Sequence, residues 1–306
     1  MNILITGGAG FIGSNLVNLL SKNKKYKIII IDNFSKGSIN YIKKYNVKVK
    51  KGDIKNYKFL KKCFKKIDCV IHLAGSTRVI DSIKDPISNF KENLIGTLNL
   101  LSLSKERKVK NFIFASSGGA LMGEKKKISS EKALPSPTSP YGASKLACEA
   151  YCMAFSKSYK LNVKCLRFSN IYGPYSWHKE SIVAAFFKNI LNNKTTTIYG
   201  DGTQSRDFIY VGDICFAIMK MINSKFNGVI NIGSGKTYNI KKLIKEIKKI
   251  TKLKIKIKYT KFRKGEIKNA KMNNSKAISL IKFYNHYTFR EGLKNTWHWF
   301  NSYKSS

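Results

Sequence analysis

A chain of 306 residues, 43% of them hydrophobic, can bury a large core and suits one nucleotide-binding domain with a smaller one appended. No run approaches the roughly 18 apolar residues of a membrane span, and the N-terminus has neither the basic start nor the small-residue cleavage site of a signal peptide, so no membrane partner and a cytoplasmic location are expected. The formal net charge of +41 comes from 52 lysines and only six arginines spread along the whole chain, without a helix-turn-helix, zinc or RNA-binding signature; this reads as a solvated surface and not as a nucleic-acid binder.

Met1 to Thr6 reads as a short buried strand, and Gly7-Gly8-Ala9-Gly10-Phe11-Ile12-Gly13 leads from it into an amphipathic helix through Leu20. Glycines at 7, 10 and 13 permit a tight turn, close approach of a pyrophosphate and close packing of helix on strand, with the helix N-terminus facing the phosphates. A glycine triplet alone is a weak signal, and the strand-turn-helix setting is what strengthens it. The next strand, Tyr26 to Ile31, ends at Asp32, about twenty residues after the turn. A carboxylate there can accept both adenosine ribose hydroxyls and repels a 2′-phosphate, so NAD is favoured over NADP.

Val47 to Lys50 is expected as a third strand, closed by Gly52-Asp53-Ile54, whose acid can reach the adenine amino group. Cys69 to Leu73 is a fourth, ending in Ala74-Gly75, where small residues let the backbone approach the cofactor. His72 reads as a packed strand residue, since no second His or Cys lies near it in sequence, and no metal site is expected. Cys63, Cys69, Cys148, Cys152, Cys165 and Cys215 show no paired metal-ligand spacing and read as buried free thiols of a reducing compartment.

Pro86 to Ser104 forms one long helical pattern containing Asn93 and Gly96, and Asn111 to Ala115 a fifth strand. That strand runs into Ser116-Ser117-Gly118-Gly119-Ala120 at the carboxyl edge of the sheet, where doubly wound folds place their ligands. Ser139 is then a good N-cap and Pro140 suits the first helical position. Continuing as helix puts Tyr141 and Lys145 on one face, one turn apart. Lowering a tyrosine pKa by about three units requires roughly 4 kcal/mol of preference for the phenolate, and a cation about 4 Å away at a surface-like dielectric supplies roughly that much. The pair therefore reads as a general base, with Lys145 lowering the Tyr141 pKa.

Asn162 to Phe168 is a sixth strand, followed by Ser169-Asn170-Ile171-Tyr172-Gly173-Pro174. Beyond Pro174 the strand-helix alternation breaks into a helix, Ile182 to Leu191, and a short strand, Thr195 to Tyr199. The expected fold is α/β: a Rossmann-like doubly wound parallel sheet over residues 1–174, rejoined by a core strand near 227–232, with a smaller substrate-binding subdomain in residues 175–306.

With these parts in place the sequence resembles the extended short-chain dehydrogenase/reductase family, and within it the nucleotide-sugar 4-epimerases related to UDP-glucose 4-epimerase. The resemblance runs through the Gly7 to Gly13 turn with Phe11 and Ile12, Asp32-Asn33, Gly52-Asp53-Ile54, Leu73-Ala74-Gly75, Asn93, Tyr141 with Lys145, Asn170, Gly200-Asp201-Gly202 and Arg206-Asp207-Phe208. It implies that the first of these hold NAD, that Lys145 also holds the nicotinamide ribose, and that Ser117 is the catalytic hydroxyl beside Tyr141. Gly118 and Gly119 add a residue relative to many relatives, so Ser116 is a second candidate. Asn170, Tyr199, Arg206 and Arg263 look like the positions that hold the nucleotide diphosphate and base, and guanidinium groups suit phosphate oxygens. Two departures stand out: Met122 where a Val-Tyr-Gly ending usually carries tyrosine, and Ser169 where some epimerases have phenylalanine.

The reaction the resemblance implies is 4-epimerisation of a UDP-hexose through a transient 4-keto sugar, with a homodimer formed through the helices containing Asn93 and Tyr141. Dehydratases of the family commonly carry an acid just after the catalytic hydroxyl, whereas here Gly118, Gly119 and Ala120 follow and the first acid is Glu124. A dehydratase, a reductase and a non-catalytic NAD-sensing protein are the other readings. By the same resemblance, the position seven residues past Arg263 lies beside the hexose. Ala270 stands there, and its small size leaves room for an N-acetyl group.

Overall fold

A computed structural model describes residues 1–123, 130–262 and 268–304. In chain order the first half comprises β1 (Asn2–Thr6), α1 (Phe11–Leu20), β2 (Lys27–Asp32), β3 (Lys48–Lys51), α2 (Tyr57–Cys63), β4 (Cys69–His72), α3 (Val79–Lys84), α4 (Pro86–Phe90), α5 (Gly96–Glu106), β5 (Asn111–Ser117), α6 (Gly118–Met122) and α7 (Pro140–Tyr159). The second half comprises β6 (Val163–Phe168), β7 (Asn170–Tyr172), α8 (Ile182–Leu191), β8 (Thr196–Tyr199), β9 (Ser205–Arg206), β10 (Phe208–Tyr210) and α9 (Val211–Ile222). It continues through β11 (Gly228–Ile232), β12 (Tyr238–Asn239), α10 (Ile240–Thr251), β13 (Ile257–Thr260), β14 (Asn269–Ala270), α11 (Ser275–Ile281) and α12 (Phe289–Lys304).

Seven strands form one parallel sheet in the order β11-β6-β5-β4-β1-β2-β3. The strand order reverses between β1 and β4, which opens a crevice at their carboxyl ends. Runs such as Ile28–Ile31 and Cys69–His72 are apolar nearly throughout because helices cover both faces of the sheet, so each strand meets a core on either side. The expected late strand joins here: β11 pairs with β6, Val229 opposite Cys165 and Ile232 opposite Phe168. Small sheets, β10 with β7, β12-β9-β14, and β13 with β8, carry the later chain beside the carboxyl edge.

The segment read as one helix from Pro86 to Ser104 is broken. Asp85 caps α4 by accepting the N–H of Ser88 at 2.9 Å, and a wide π-type turn over Lys91–Ile95 separates α4 from α5. The 3.6-residue periodicity hides such a turn, which inserts one residue without ending the helical direction. Its effect is to aim Asn93 at the loop after β4: Oδ1 accepts the N–H of Ser76 at 2.8 Å, and Nδ2 donates to Ser76 O and Ser144 Oγ.

Candidate active site

The turn after β1 is tight for steric reasons. Gly7 has φ of 69°, and a Cβ there would lie 2.7 Å from the Ala74 nitrogen; a Cβ on Gly13 would overlap the Gly7 carbonyl. The cap residue of α1, Gly10, offers no side-chain bond, so the first N–H groups of the helix are left for an anion. Phe11 is buried and Ile12 half-buried behind the turn. Asp32, at the end of β2, accepts the N–H groups of Ala9 at 2.9 Å and Phe34 at 2.8 Å, so one carboxylate ties the glycine turn to the loop after β2. Burial raises its pKa, and the two backbone N–H groups oppose that shift. Asn33 accepts the N–H of Ser35, and Asp53 that of Lys55. Ile54 is buried against Gly96, while the N–H of Leu73 bonds the Thr6 carbonyl at the mouth of the crevice.

These residues fit a dinucleotide: a close backbone turn, an uncapped helix N-terminus and a carboxylate at the second strand end converge on one crevice. Asn93, expected among the cofactor residues, bonds Ser76 and Ser144 through its amide. It holds the Gly75–Ser76 loop.

Beside the crevice, α7 starts as expected, with Ser139 Oγ accepting the N–H of Gly142 at 3.1 Å and Pro140 in the first turn. Tyr141 is buried, and of the two candidate hydroxyls Ser117 is the one that acts on its phenol, opposing the rise in its pKa. Ser117 also caps α6 through the N–H of Ala120 at 3.4 Å, while the buried Ser116 Oγ has no hydrogen-bond partner among the described residues.

The electrostatics depart from expectation. Burial pushes the Tyr141 phenol up to about 12, the Ser117 hydrogen bond opposes the rise, and Cys148 adds to it. The Lys145 ammonium is turned elsewhere, donating to the Ala115 carbonyl at 2.9 Å and lying 4.6 Å from the Phe114 ring centre. Spacing alone gave the pair a shared helix face but not this orientation, nor the desolvation that dominates it. Lys145 is itself buried, and burial lowers its pKa.

On the other wall, β9 lies between β12 and β14, and Arg206 is directly opposite Ala270 in the register with β14. Arg206 donates to the carbonyl of Ser205 at 2.9 Å. Met272, two residues beyond Ala270, packs over Gly118, so this small sheet abuts the Ser117 loop. Asn170 is exposed at the start of β7, opposite Phe208 in β10. Tyr199 ends β8, its carbonyl accepting from Gln204 at 2.7 Å. Arg263 lies outside the described residues.

Two buried polar clusters have roles that the sequence did not show. Arg167 and Glu149 form a bidentate pair, Nε to Oε1 at 2.9 Å and Nη2 to Oε2 at 2.7 Å, tying α7 to β6. The available signal was an arginine inside an otherwise mostly apolar strand and a glutamate four residues past Lys145. Asp207 is buried and accepts from Ser169 Oγ, Ser234 N and Oγ, and Gly235 N. This gives the unexpected serine at 169 a structural use. His72 sits between the hydroxyls of Thr6 at 2.8 Å and Thr97 at 3.0 Å, and all six cysteines are buried and free. Among the described residues no helix is long and apolar enough to cross a membrane, and no His, Cys, Asp or Glu side chains gather as a metal site.

Comparison with known proteins agrees with this arrangement. The model of the NAD dependent epimerase/dehydratase family matches residues 3–240. A UDP-glucuronate 4-epimerase of Thermodesulfobacterium geofontis is 32% identical over 308 residues, covering 97% of this chain and 95% of that protein. Among solved structures, UDP-glucose 4-epimerase of Thermotoga maritima with UDP-glucose superposes with a TM-score of 0.95 at 35% identity, covering 99% of this chain and 100% of that one. UDP-N-acetylglucosamine 4-epimerase of Methanobrevibacter ruminantium in complex with UDP-N-acetylmuramic acid does so at 0.93 and 35%, covering 99% and 98%.

Proposed function

The chain belongs to the NAD-dependent epimerase/dehydratase family, and on that premise we propose that it inverts C4 of a UDP-hexose, with UDP-glucose and UDP-galactose as substrates and their N-acetyl forms also accepted. The observation that carries the reading is the Ser117 hydroxyl acting on the buried Tyr141 phenol, with only Gly118, Gly119 and Ala120 following the serine. Both hydroxyls can meet one sugar oxygen, while eliminating water would need an acid that this loop does not supply.

Tyr141 takes the proton of the C4 hydroxyl and later returns it, and Ser117 holds the same oxygen. Gly7, Gly10, Gly13, Asp32, Asn33, Asp53 and the Leu73–Gly75 segment hold NAD, with Lys145 on the nicotinamide ribose. When bound, NAD accepts and returns the C4 hydride, and the positive ring of its oxidised form favours the Tyr141 phenolate. Burial raises the phenol pKa, so the positive ring and the Ser117 hydroxyl have to offset that desolvation for Tyr141 to act as the base. Asn170, Tyr199, Arg206 and Arg263 hold the uridine diphosphate, leaving the 4-keto sugar free to turn and present its other face.

The small side chain of Ala270 in register with Arg206 supports N-acetyl acceptance. Exposed Ile80, Ile83, Ile87, Phe90 and Tyr151 on α3, α4 and α7 support a homodimer through these helices. Six buried free thiols suit the cytoplasm.

The test is to incubate purified protein, with no NAD added, with UDP-glucose, UDP-galactose, UDP-N-acetylglucosamine and UDP-glucuronate and to follow the sugars by proton NMR. A C4 epimer with retained C6 is expected. Accumulation of a 4-keto-6-deoxy sugar would make the protein a dehydratase, and no turnover of any sugar would count against an enzyme of this kind.

A further inference from the structure

The segment after β7 crosses the cofactor crevice. At one end, Asn15 on α1 donates to the Pro174 carbonyl at 3.0 Å, which fixes the segment beside the glycine turn. At the other end two side chains reach the loop after β4: Lys179 Nζ donates to Thr77 Oγ1 at 2.7 Å, and Glu180 pairs with Arg78. The chain between these anchors therefore runs from the β1 side of the crevice to the β4 side, over the point where the strand order reverses.

Lys179 is half-buried there, and the charges acting on it, Lys145 and Lys36, are both positive. The three lysines come from different parts of the fold. Lys36 precedes Gly37, which packs on the Ala9 carbonyl of the glycine turn, and Lys145 reaches from α7 to the Gly75 loop, 3.7 Å from where a Gly75 Cβ would stand. Glu180 is committed to Arg78 and Asp32 to the backbone of Ala9 and Phe34. Beside Lys179, the buried Nδ1 of His178 has no hydrogen-bond partner among the described residues. A cation desolvated among cations is unfavourable for the protein alone, and burial and repulsion bring Lys179 down to about 8. The arrangement becomes favourable when a multiply charged anion enters between the groups.

We infer that Lys179 is a cofactor-binding residue whose ammonium takes a phosphate of the NAD pyrophosphate, supplementing the backbone N–H groups of the glycine turn from a segment far away in sequence. A pyrophosphate could also come from the UDP-sugar. The cofactor is the better match because Lys36 and Lys145 flank the glycine turn and the Gly75 loop, whereas Arg206 and Ala270 stand on the opposite wall. The inference rests on NAD binding and not on which sugar is turned over.

Cofactor-stripped wild type, Lys179→Gln and Lys179→Arg, titrated calorimetrically with NAD, ADP, adenosine and UDP, provide the test. Loss of one charge-assisted contact should weaken NAD and ADP by about tenfold or more in Lys179→Gln, leave adenosine and UDP unchanged, and be largely restored in Lys179→Arg. The assignment is overturned if NAD binds the glutamine variant as tightly as wild type, if adenosine weakens as much as NAD, or if UDP alone is affected, which would move Lys179 to the substrate. None of these readouts requires turnover, so a protein that fails to epimerise any hexose can still pass or fail.

Discussion

Ala270 stands opposite Arg206 in the parallel register of β14 with β9. The residue proposed to wall the sugar and the guanidinium proposed to hold its diphosphate thus share one small sheet, and their spacing is set by backbone hydrogen bonds. Ala270→Tyr should fill the space beside the hexose. Rates on UDP-N-acetylglucosamine are expected to fall about tenfold or more, with UDP-glucose affected only a few-fold. Equal losses on the two sugars would remove Ala270 from the pocket wall.

Tyr141→Phe removes one oxygen from a buried site and leaves the helix start, capped by Ser139, intact. Epimerisation should drop by at least about a hundredfold while NAD affinity changes little. Because burial dominates, the phenol in cofactor-free protein should ionise near 12. In an ultraviolet titration of phenolate absorbance, the difference between wild type and Tyr141→Phe is expected to show that late step, and a midpoint below 10 would mean Lys145 governs the phenol after all.

Asp32 bonds Ala9 and Phe34, and it is also the carboxylate proposed to face the adenosine ribose. Wild type should bind NAD far better than NADP, since a 2′-phosphate would meet a buried carboxylate. Asp32→Asn should narrow that preference by weakening NAD and relieving NADP. Titration of stripped protein with both nucleotides measures it, and equal wild-type affinities would contradict the role.

Much of this was legible in the sequence. The central strands showed as nearly continuous apolar runs because the sheet is covered on both faces, and the Ser139–Pro140 start of α7 is local chemistry written in adjacent residues. The orientation of Lys145, the Arg167–Glu149 pair and the Lys179 contact to Thr77 were not legible, since each is a side-chain contact set by how separate elements pack and not by local spacing. The wide turn at Lys91–Ile95 was hidden for another reason: an apolar period does not register one inserted residue.

The Arg167–Glu149 pair is sealed, its side chains 5% and 4% exposed. Glu149→Ala would leave a buried guanidinium unpaired and should cost about 3–5 kcal/mol, read from chemical denaturation. A loss below about 1 kcal/mol would indicate that water reaches Arg167.

His72 supplies a pH signature. Burial lowers its pKa to about 3, with Lys145 adding to the shift, against about 6.5 in the unfolded chain. Between these values the unfolded state binds a proton that the native state does not, so stability rises with pH across the window and is lost as pH falls from about 6.5 toward 3. His72→Gln should therefore lose less stability than wild type between pH 6.5 and 4, by up to about 1.4 kcal/mol per pH unit. Parallel stability curves for the two proteins would show that His72 does not titrate in this way.

The outermost strand on one side of the sheet, β3, reads Lys48-Val49-Lys50-Lys51, with Lys48 and Lys51 exposed. A free strand edge invites a strand from another molecule, and stacking of this kind is the start of fibril growth. Ammonium groups along that edge would face their own copies in any such pairing, so the approach is repelled before hydrogen bonds can form. The lysine excess, read from the sequence as a solvated surface, thus has a colloidal consequence along this strand: it opposes the joining of copies of the molecule at β3.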